Sequence, residues 1–400
     1  MISHRFWSRP MFFYSLKDAV NFAALQGKFT SNKRLLLPIL LTLAIAYPPL
    51  RSVTITTLAD AFFQVTVFVA STLYLYRHLV DKLPHLQLSA LYTRSPILEV
   101  AFAAFLGALP GCGGAIVVVT QFTQRQASFG ALVAVLTATM GDAAFLLLAQ
   151  KPLEGLLILL LGISVGFLSG ITVNRFCNPL PASAITKPKM QMPAKPISYV
   201  DQISIIYWQI IMLPCLIIAL LMAFNIDFGL FTHAIELFGC TMAVLIAVAW
   251  SLSPITSTYN MESSSTKKPD MKEKQAVRYL QIIKDTHFVS AWVIVSFMLY
   301  EILVNVGGLD VASWFSEFAM FTPLMAVLVG LLPGCGPQIV VTTLYIQGVI
   351  PFSALAGNAI SNDGDALFPA IALAPKAALL ATLYSTIPAL IVAYTLYGWS

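Results

Sequence analysis

Leu109-Pro110-Gly111-Cys112-Gly113 lies inside an apolar run and returns 223 residues later as Leu332-Pro333-Gly334-Cys335-Gly336. The match widens without a gap to Leu106–Pro152 against Val329–Pro375. It holds 20 identities in 47 positions, where chance in an apolar chain gives about 5. Both copies continue as Ile-Val-Val-x-Thr, ending at Thr120 and Thr343. Both then reach Gly-Asp-Ala, at Gly141-Asp142-Ala143 and Gly364-Asp365-Ala366, so Cys and Asp stand 30 residues apart twice. Connecting loops lose such spacing by drift, and its retention predicts two structurally equivalent helical hairpins.

Composition sets the solvent in which those hairpins fold. The chain has 400 residues, 58% hydrophobic and 10% charged, with a mean hydropathy of +0.81. Soluble domains carry about 25% charge, so a water-soluble enzyme, a disordered protein and a nucleic-acid binder are excluded. The apolar runs are long and continuous rather than alternating ten-mers, which disfavours a β-barrel. An all-α integral membrane protein remains. The 23 Lys+Arg against 18 Asp+Glu, a formal +5, mark loops retained in the cytoplasm rather than a partner. Five cysteines, Cys112, Cys177, Cys215, Cys240 and Cys335, are too few and too embedded for a disulfide framework.

Along the chain, residues 1–34 are basic with interleaved aromatics. They read as a cytoplasmic or interfacial segment rather than a signal peptide. A first transmembrane repeat is expected over 35–173, then a Pro/Lys/Ser-rich linker over 174–202. Connecting helices follow over 203–252, a polar basic linker over 253–286, and a second repeat over 287–400. Eleven apolar runs are visible, and ten spanning helices are expected from their lengths. The basic loop Arg77–Arg94, the basic linker 253–286 and the acidic loop with Asp310 and Glu317 favour an inverted arrangement of the repeats. The positive charges of the 174–200 stretch argue the other way.

Chemistry concentrates at the repeated residues. Proline removes a backbone donor and glycine permits non-helical angles, so Pro110, Gly111, Gly113 and Pro333, Gly334, Gly336 predict broken helices. Freed backbone groups at bilayer depth are tolerated only in protein or against a wet cavity. Matched interruptions in two halves point to a transporter's substrate site. Cys112 and Cys335, one at each break, offer soft thiolates that favour Zn, Cd, Cu(I) or a trivalent metalloid. The bland alternative is that both are small packing residues. An acid inside an apolar helix costs about 2.5–3.5 kcal/mol on insertion scales, which makes Asp142 and Asp365 candidate ion or proton carriers. Asn362 and Asp363 add oxygen ligands in the second copy. The chain beyond them has no further ligands, so an EF-hand is rejected. Thr120 and Thr343 are candidate path-lining residues. Cys177, Cys215 and Cys240 lack counterparts and read as structural, Glu301 as interfacial, and His287 as a solvated residue at the start of a span. No Walker loop, GxGxxG, HExxH or catalytic triad occurs, so neither a catalytic residue nor an ATP-driven pump is expected.

At these positions the sequence resembles a ten-helix heavy-metal exporter family, arsenic-permease-like proteins also labelled manganese transporters. Gly330-Leu-Leu-Pro-Gly-Cys335-Gly-Pro, Thr343-Leu-Tyr345 and Asp363-Gly-Asp365-Ala-Leu-Phe-Pro carry the resemblance, with Leu109-Pro-Gly-Cys112-Gly and Gly141-Asp142 in the first half. It spans roughly 35 to 398 and implies a multi-pass protein of a bacterial inner membrane.

The combined expectation is a secondary-active transporter exporting a metal or metalloid ion (Mn, another divalent metal, or an arsenical), coupled to protons or to the membrane potential. Cys112, Cys335, Asp142 and Asp365 would form the metal site. No cofactor beyond the transported ion is expected. The partners are the bilayer, the ion and a coupling proton, and a homo-oligomer is compatible with the sequence. One alternative is a permease for an organic or anionic solute held by helix-break amides. A membrane-embedded enzyme or assembly subunit is the weaker alternative.

Overall fold

Prolines open four of the main helices, because proline at a helix's first position gives up a donor that has no partner there anyway. The computed structural model describes residues 33–176, 199–224, 226, 228–252, 271–305 and 319–399, and every regular element among them is helical. In chain order these are α1 (Leu36–Ala46), α2 (Pro48–Lys82, with a π-helical stretch at Ala61–Val67), α3 (Leu88–Arg94) and α4 (Pro96–Ala108). Then come α5 (Gly113–Thr123), α6 (Phe129–Ala138), α7 (Ala143–Gln150) and α8 (Pro152–Phe176). They are followed by α9 (Tyr199–Ala223), α10 (Thr232–Leu252) and the 35-residue α11 (Met271–Asn305). The last group is α12 (Thr322–Gly330), α13 (Cys335–Ile346), α14 (Phe352–Ser361), α15 (Leu367–Leu373) and α16 (Pro375–Tyr397). Phe352 and Pro375 open helices 223 residues after Phe129 and Pro152 do.

Several expected segments lie outside the described residues: the basic N-terminal segment up to 32, most of the 174–202 linker with Cys177, residues 253–270, and the loop with Asp310 and Glu317.

The packing is that of a protein dissolved in lipid. On α8, Gly162, Gly166 and Gly170 form a buried stripe against α6. A Cβ on Gly166 would sit 2.6 Å from the Ala134 carbonyl oxygen, and one on Gly170 would sit 2.6 Å from that of Gly130. Small residues at four-residue spacing let two helix backbones approach closely, which is how membrane helices associate without a hydrophobic driving force. The opposite side of α8 exposes Leu156, Leu157, Leu160 and Leu168. Helix α16 is built likewise, burying Ala378, Ala381, Ser385, Ala389 and Ala393 while exposing Leu379, Leu383, Ile387 and Ile391. Exposed leucines surround an interior that holds Asp142, Asp363, Asp365, Gln338 and Asn358. This reverses the soluble pattern and defines a multi-pass membrane protein. The long helices α2 and α11 supply much of the interior, and buried hydroxyls join them: Thr66 Oγ1 donates to Ser290 Oγ at 2.8 Å.

Six described helices are long and apolar enough to cross a membrane, or seven if the α6–α7 pair, bent by 40°, counts as one span. Ten were expected from apolar run lengths. The difference arises because the runs at 97–119, 129–150, 321–346 and 352–373 are each divided into half-length helices. A helix of about 20 residues is needed to cross alone, and α4, α5, α6, α7, α12, α13, α14 and α15 fall short of it.

The expectation for His287 is corrected. Helix α11 begins at Met271, so His287 lies inside it, buried, and accepts a hydrogen bond from Trp208 Nε1 at 3.0 Å. Lys272, Glu273, Lys274 and Gln275 are good helix formers and extend the helix ahead of its apolar part. Glu99 is also buried. Its carboxylate accepts from the Ser128 amide at 2.8 Å and the Ser128 hydroxyl at 2.6 Å. Ser128 Oγ in turn caps α6 by accepting from the Ala131 amide.

The glycine stripe yields a stability prediction. Gly166→Leu drives a side chain into the α6 backbone, and overpacking of this kind costs about 1–3 kcal/mol. The thermal midpoint in detergent should fall by several degrees. Leu168→Ala, on the lipid-facing side, should leave it nearly unchanged. Equal effects of the two substitutions would show that α6 and α8 do not pack through this stripe.

Candidate metal centre

Two interrupted helices and two glycine turns meet at one point. The first interruption is Leu109–Cys112, between α4 and α5. Gly111 has φ +89° and its amide donates to the Gly141 carbonyl at 3.0 Å. A Cβ on Gly114 would lie 2.0 Å from the Leu106 carbonyl oxygen. In a straight helix those residues are about 12 Å apart, so the chain folds back at the break. The second interruption is Leu331–Gly334, where Gly334 has φ +112° and α13 starts at Cys335. The two turns are Thr139–Asp142, between α6 and α7, and Asn362–Ala366, between α14 and α15. They carry Gly141 at φ +53° and Gly364 at φ +57°.

The two sulfurs lie between those turn glycines. Cys112 Sγ and Cys335 Sγ are 3.0 Å apart, and Cys335 Sγ is 3.2 Å from Asp365 Oδ2. A Cβ on Gly141 would sit 2.6 Å from Cys335 Sγ and 3.3 Å from Cys112 Sγ. One on Gly364 would sit 3.2 Å from Cys112 Sγ and 3.9 Å from Cys335 Sγ. Glycine is needed here twice over, for the positive φ and because a methyl group would displace a sulfur. The ligand atoms of Cys112, Cys335 and Asp365 all lie within 4.8 Å of one another, and all three residues are buried.

Polar atoms of the two glycine turns lack partners. Neither oxygen of Asp142 has a hydrogen bond, nor does Asp365 Oδ1, Asp363 Oδ1 or Asn362 Nδ2. A buried unpartnered polar atom costs about 1–3 kcal/mol, so a concentration of them marks a place built for an additional partner. Two thiols and a carboxylate within reach of each other suit a borderline or soft cation, which sulfur ligands select over Mg or Ca.

The expected site residues divide into two groups. Cys112, Cys335 and Asp365 come together, framed by Pro110, Gly111, Gly113, Pro333, Gly334 and Gly336. Gly113 packs against Thr72 of α2, and Gly336 against Tyr300 of α11. Asp142 is adjacent, its Oδ1 3.8 Å from a Cβ placed on Gly111, but it stays outside the three-residue cluster. Asn362 turns its Oδ1 back to accept from the Gly364 amide at 2.5 Å. Asp363 faces α16, where Thr382 Oγ1 donates to its Oδ2. Thr120 and Thr343 do not reach the cluster. Each lies eight residues beyond its cysteine, about 12 Å along a helix, and Thr343 Oγ1 donates to the Ile339 carbonyl at 2.8 Å. Cys215 and Cys240 are buried in other helices.

Two residues escaped sequence reasoning. Gln338 is fully buried with both amide atoms unpartnered. The available signal was its place three residues after Cys335, opposite Ala115 in the aligned copy. Asp60 stands within an apolar run, accepts from Gln64 Nε2 at 2.9 Å, and lies in electrostatic range of Asp142. A lone acid in that run was the signal.

A polytopic helical membrane protein with a buried thiol–carboxylate cluster is thus defined. A family described as "Putative, 10TM heavy-metal exporter" matches residues 49–400. The chain belongs to that family. No curated protein and no solved structure matches it.

The sulfur geometry makes a chemical prediction. With Cys177, Cys215 and Cys240 replaced by alanine, diamide should join Cys112 to Cys335, since closing 3.0 Å to a disulfide requires about 1 Å of movement. Peptide mass spectrometry reads the linkage. Persistence of two free thiols under conditions that oxidise a control dithiol would contradict this placement.

Proposed function

We infer that the protein is a secondary-active exporter of a thiophilic metal or metalloid ion, held between Cys112, Cys335 and Asp365. The observation that carries this reading is the convergence of the three ligand atoms within 4.8 Å from segments more than 200 residues apart in sequence. Membership in a family described as heavy-metal exporters supports the direction of transport. On this reading the chain is two pseudo-symmetric repeats, α4–α8 and α12–α16, with helices broken at Pro-Gly-Cys-Gly near the bilayer midplane. Rocking of one against the other alternates access. The membrane is the bacterial inner membrane and the N-terminus is cytoplasmic. Protons or the membrane potential supply the driving force, with Asp142 as the carboxylate beside the ion.

Charge favours a cation over the anionic solute of the alternative reading. Helix N-termini at Gly113, Ala143 and Cys335 favour negative charge, which would suit an anion or a thiolate. Asp142 directly precedes Ala143, and Asp365 Oδ2 lies 3.2 Å from the sulfur of Cys335, so buried carboxyls already occupy this field and the site suits a cation. Sulfur ligands favour Cd, Zn or arsenite over Mn.

Cys112→Ser and Cys335→Ser keep the shape and remove the softness. Each should raise cellular sensitivity to Cd or arsenite and weaken export about ten- to hundredfold, roughly 1.4 kcal/mol per factor of ten. Mn should be affected least. Asp365→Asn should also lose export while still reaching the membrane, because it lowers the insertion cost. Uptake into inverted vesicles containing each variant measures this. Wild-type transport of every ion by the double serine variant would reduce the cysteines to packing residues.

A further inference from the structure

Three cluster ligands leave a tetrahedral ion one short, and the fully buried Gln338 lies beside them. It is on α13, three residues after Cys335, and residues at that spacing share a helix face. A Cβ on Gly141 would lie 3.4 Å from Gln338 Oε1, 2.6 Å from Cys335 Sγ and 3.3 Å from Cys112 Sγ. The amide oxygen and both sulfurs therefore border the same point. Neither Oε1 nor Nε2 has a hydrogen-bond partner. Burying a primary amide with both ends unsatisfied is destabilising, and a leucine of similar size would avoid that cost.

We propose that Gln338 is the fourth ligand of the ion site, its side-chain carbonyl completing a two-sulfur, two-oxygen set with Cys112, Cys335 and Asp365, and that it selects a tetrahedral divalent cation of the zinc or cadmium type. This rests on the exporter reading and narrows its substrate. A divalent d¹⁰ ion takes four ligands tetrahedrally. Trivalent arsenic is pyramidal with three bonds and a lone pair, so a fourth donor contributes little to it. The aligned position in the first copy is Ala115, so the ligand set departs from the twofold pattern of the sequence. A neutral amide also supplies the fourth contact without adding a third buried carboxylate to Asp142 and Asp365.

The test uses the full-length protein in detergent with two probes, Cd²⁺ and arsenite. Cadmium binding is followed by thiolate-to-metal charge-transfer absorption, with Kd from equilibrium dialysis. Arsenite binding is followed by protection of the cysteines from maleimide. Gln338→Leu and Gln338→Ala should weaken Cd²⁺ about ten- to hundredfold, the scale on which metal sites respond to a lost supporting group. The absorption per bound cadmium should persist, since both thiolates remain. Arsenite affinity should stay within about threefold, small on the tenfold-per-1.4-kcal/mol scale. Gln338→Glu should bind Cd²⁺ at least as tightly as wild type, an outcome that a purely structural glutamine does not produce. Wild-type Cd²⁺ affinity in Gln338→Leu, or equal losses for Cd²⁺ and arsenite, would overturn the assignment while leaving the cysteine site standing. Absence of the charge-transfer band in the wild-type protein would overturn the cysteine site itself, and this assignment with it.

Discussion

The approach of two sulfurs to 3.0 Å, between glycines that cannot carry a side chain, is the constraint on which the interior depends. Bringing Cys112 and Cys335 together requires α5 and α13 to begin at one point. That requires the chain to leave helical geometry just before each cysteine. A broken helix frees backbone amides and carbonyls, which lipid cannot satisfy. The breaks are therefore enclosed by α2 and α11, and part of the freed backbone is used in the tie between the Gly111 amide and the Gly141 carbonyl. The glycine stripe of α8 and the small-residue face of α16 let the outer helices close around this centre while leucines meet the bilayer.

Stability and function pull against each other at the centre. Asp142, Asp365, Gln338 and Asn362 all carry buried atoms without partners, each costing about 1–3 kcal/mol. Other buried polar groups are paired, Glu99 with Ser128, Trp208 with His287 and Thr66 with Ser290, while scattered atoms such as Tyr76 OH, Gln121 Oε1 and Asn358 Oδ1 are also without partners. The contrast at the centre is that unpartnered atoms of Asp142, Asp365 and Gln338 gather beside two sulfurs. It separates Glu99 from Asp365, although both are acids in apolar runs. Glu99 has its hydrogen bonds supplied at the start of α6, whereas Asp365 presents one free oxygen beside two sulfurs.

Much of this was legible in the sequence. Composition alone required a helical membrane protein, because so few charges cannot solvate a soluble surface of this size. The ungapped match at an offset of 223 singled out Cys112, Cys335, Asp142 and Asp365, and proline and glycine marked where the helices stop. These are local properties of the chain, set by missing donors, permitted backbone angles and the cost of burying charge. The same reading took each apolar run as one continuous helix, whereas hydropathy runs on through a turn that divides a helix into halves. It also placed His287 in solvent, because the polar start of α11 resembles a linker.

Tertiary structure alone decided which of the matched residues meet. Sequence repetition treats Asp142 and Asp365 alike, yet the ligand atoms that all lie within 4.8 Å of one another are those of Cys112, Cys335 and Asp365, with Asp142 beside Cys335. Thr120 and Thr343 repeat as faithfully as the cysteines but lie two helical turns away from them. Gln338, with no counterpart in the first copy, borders the same point as both sulfurs. Periodicity determines which face of a helix a residue occupies. What that face meets depends on how closely the backbones pack and where the chain turns, and here Gly141 and Gly364 set both.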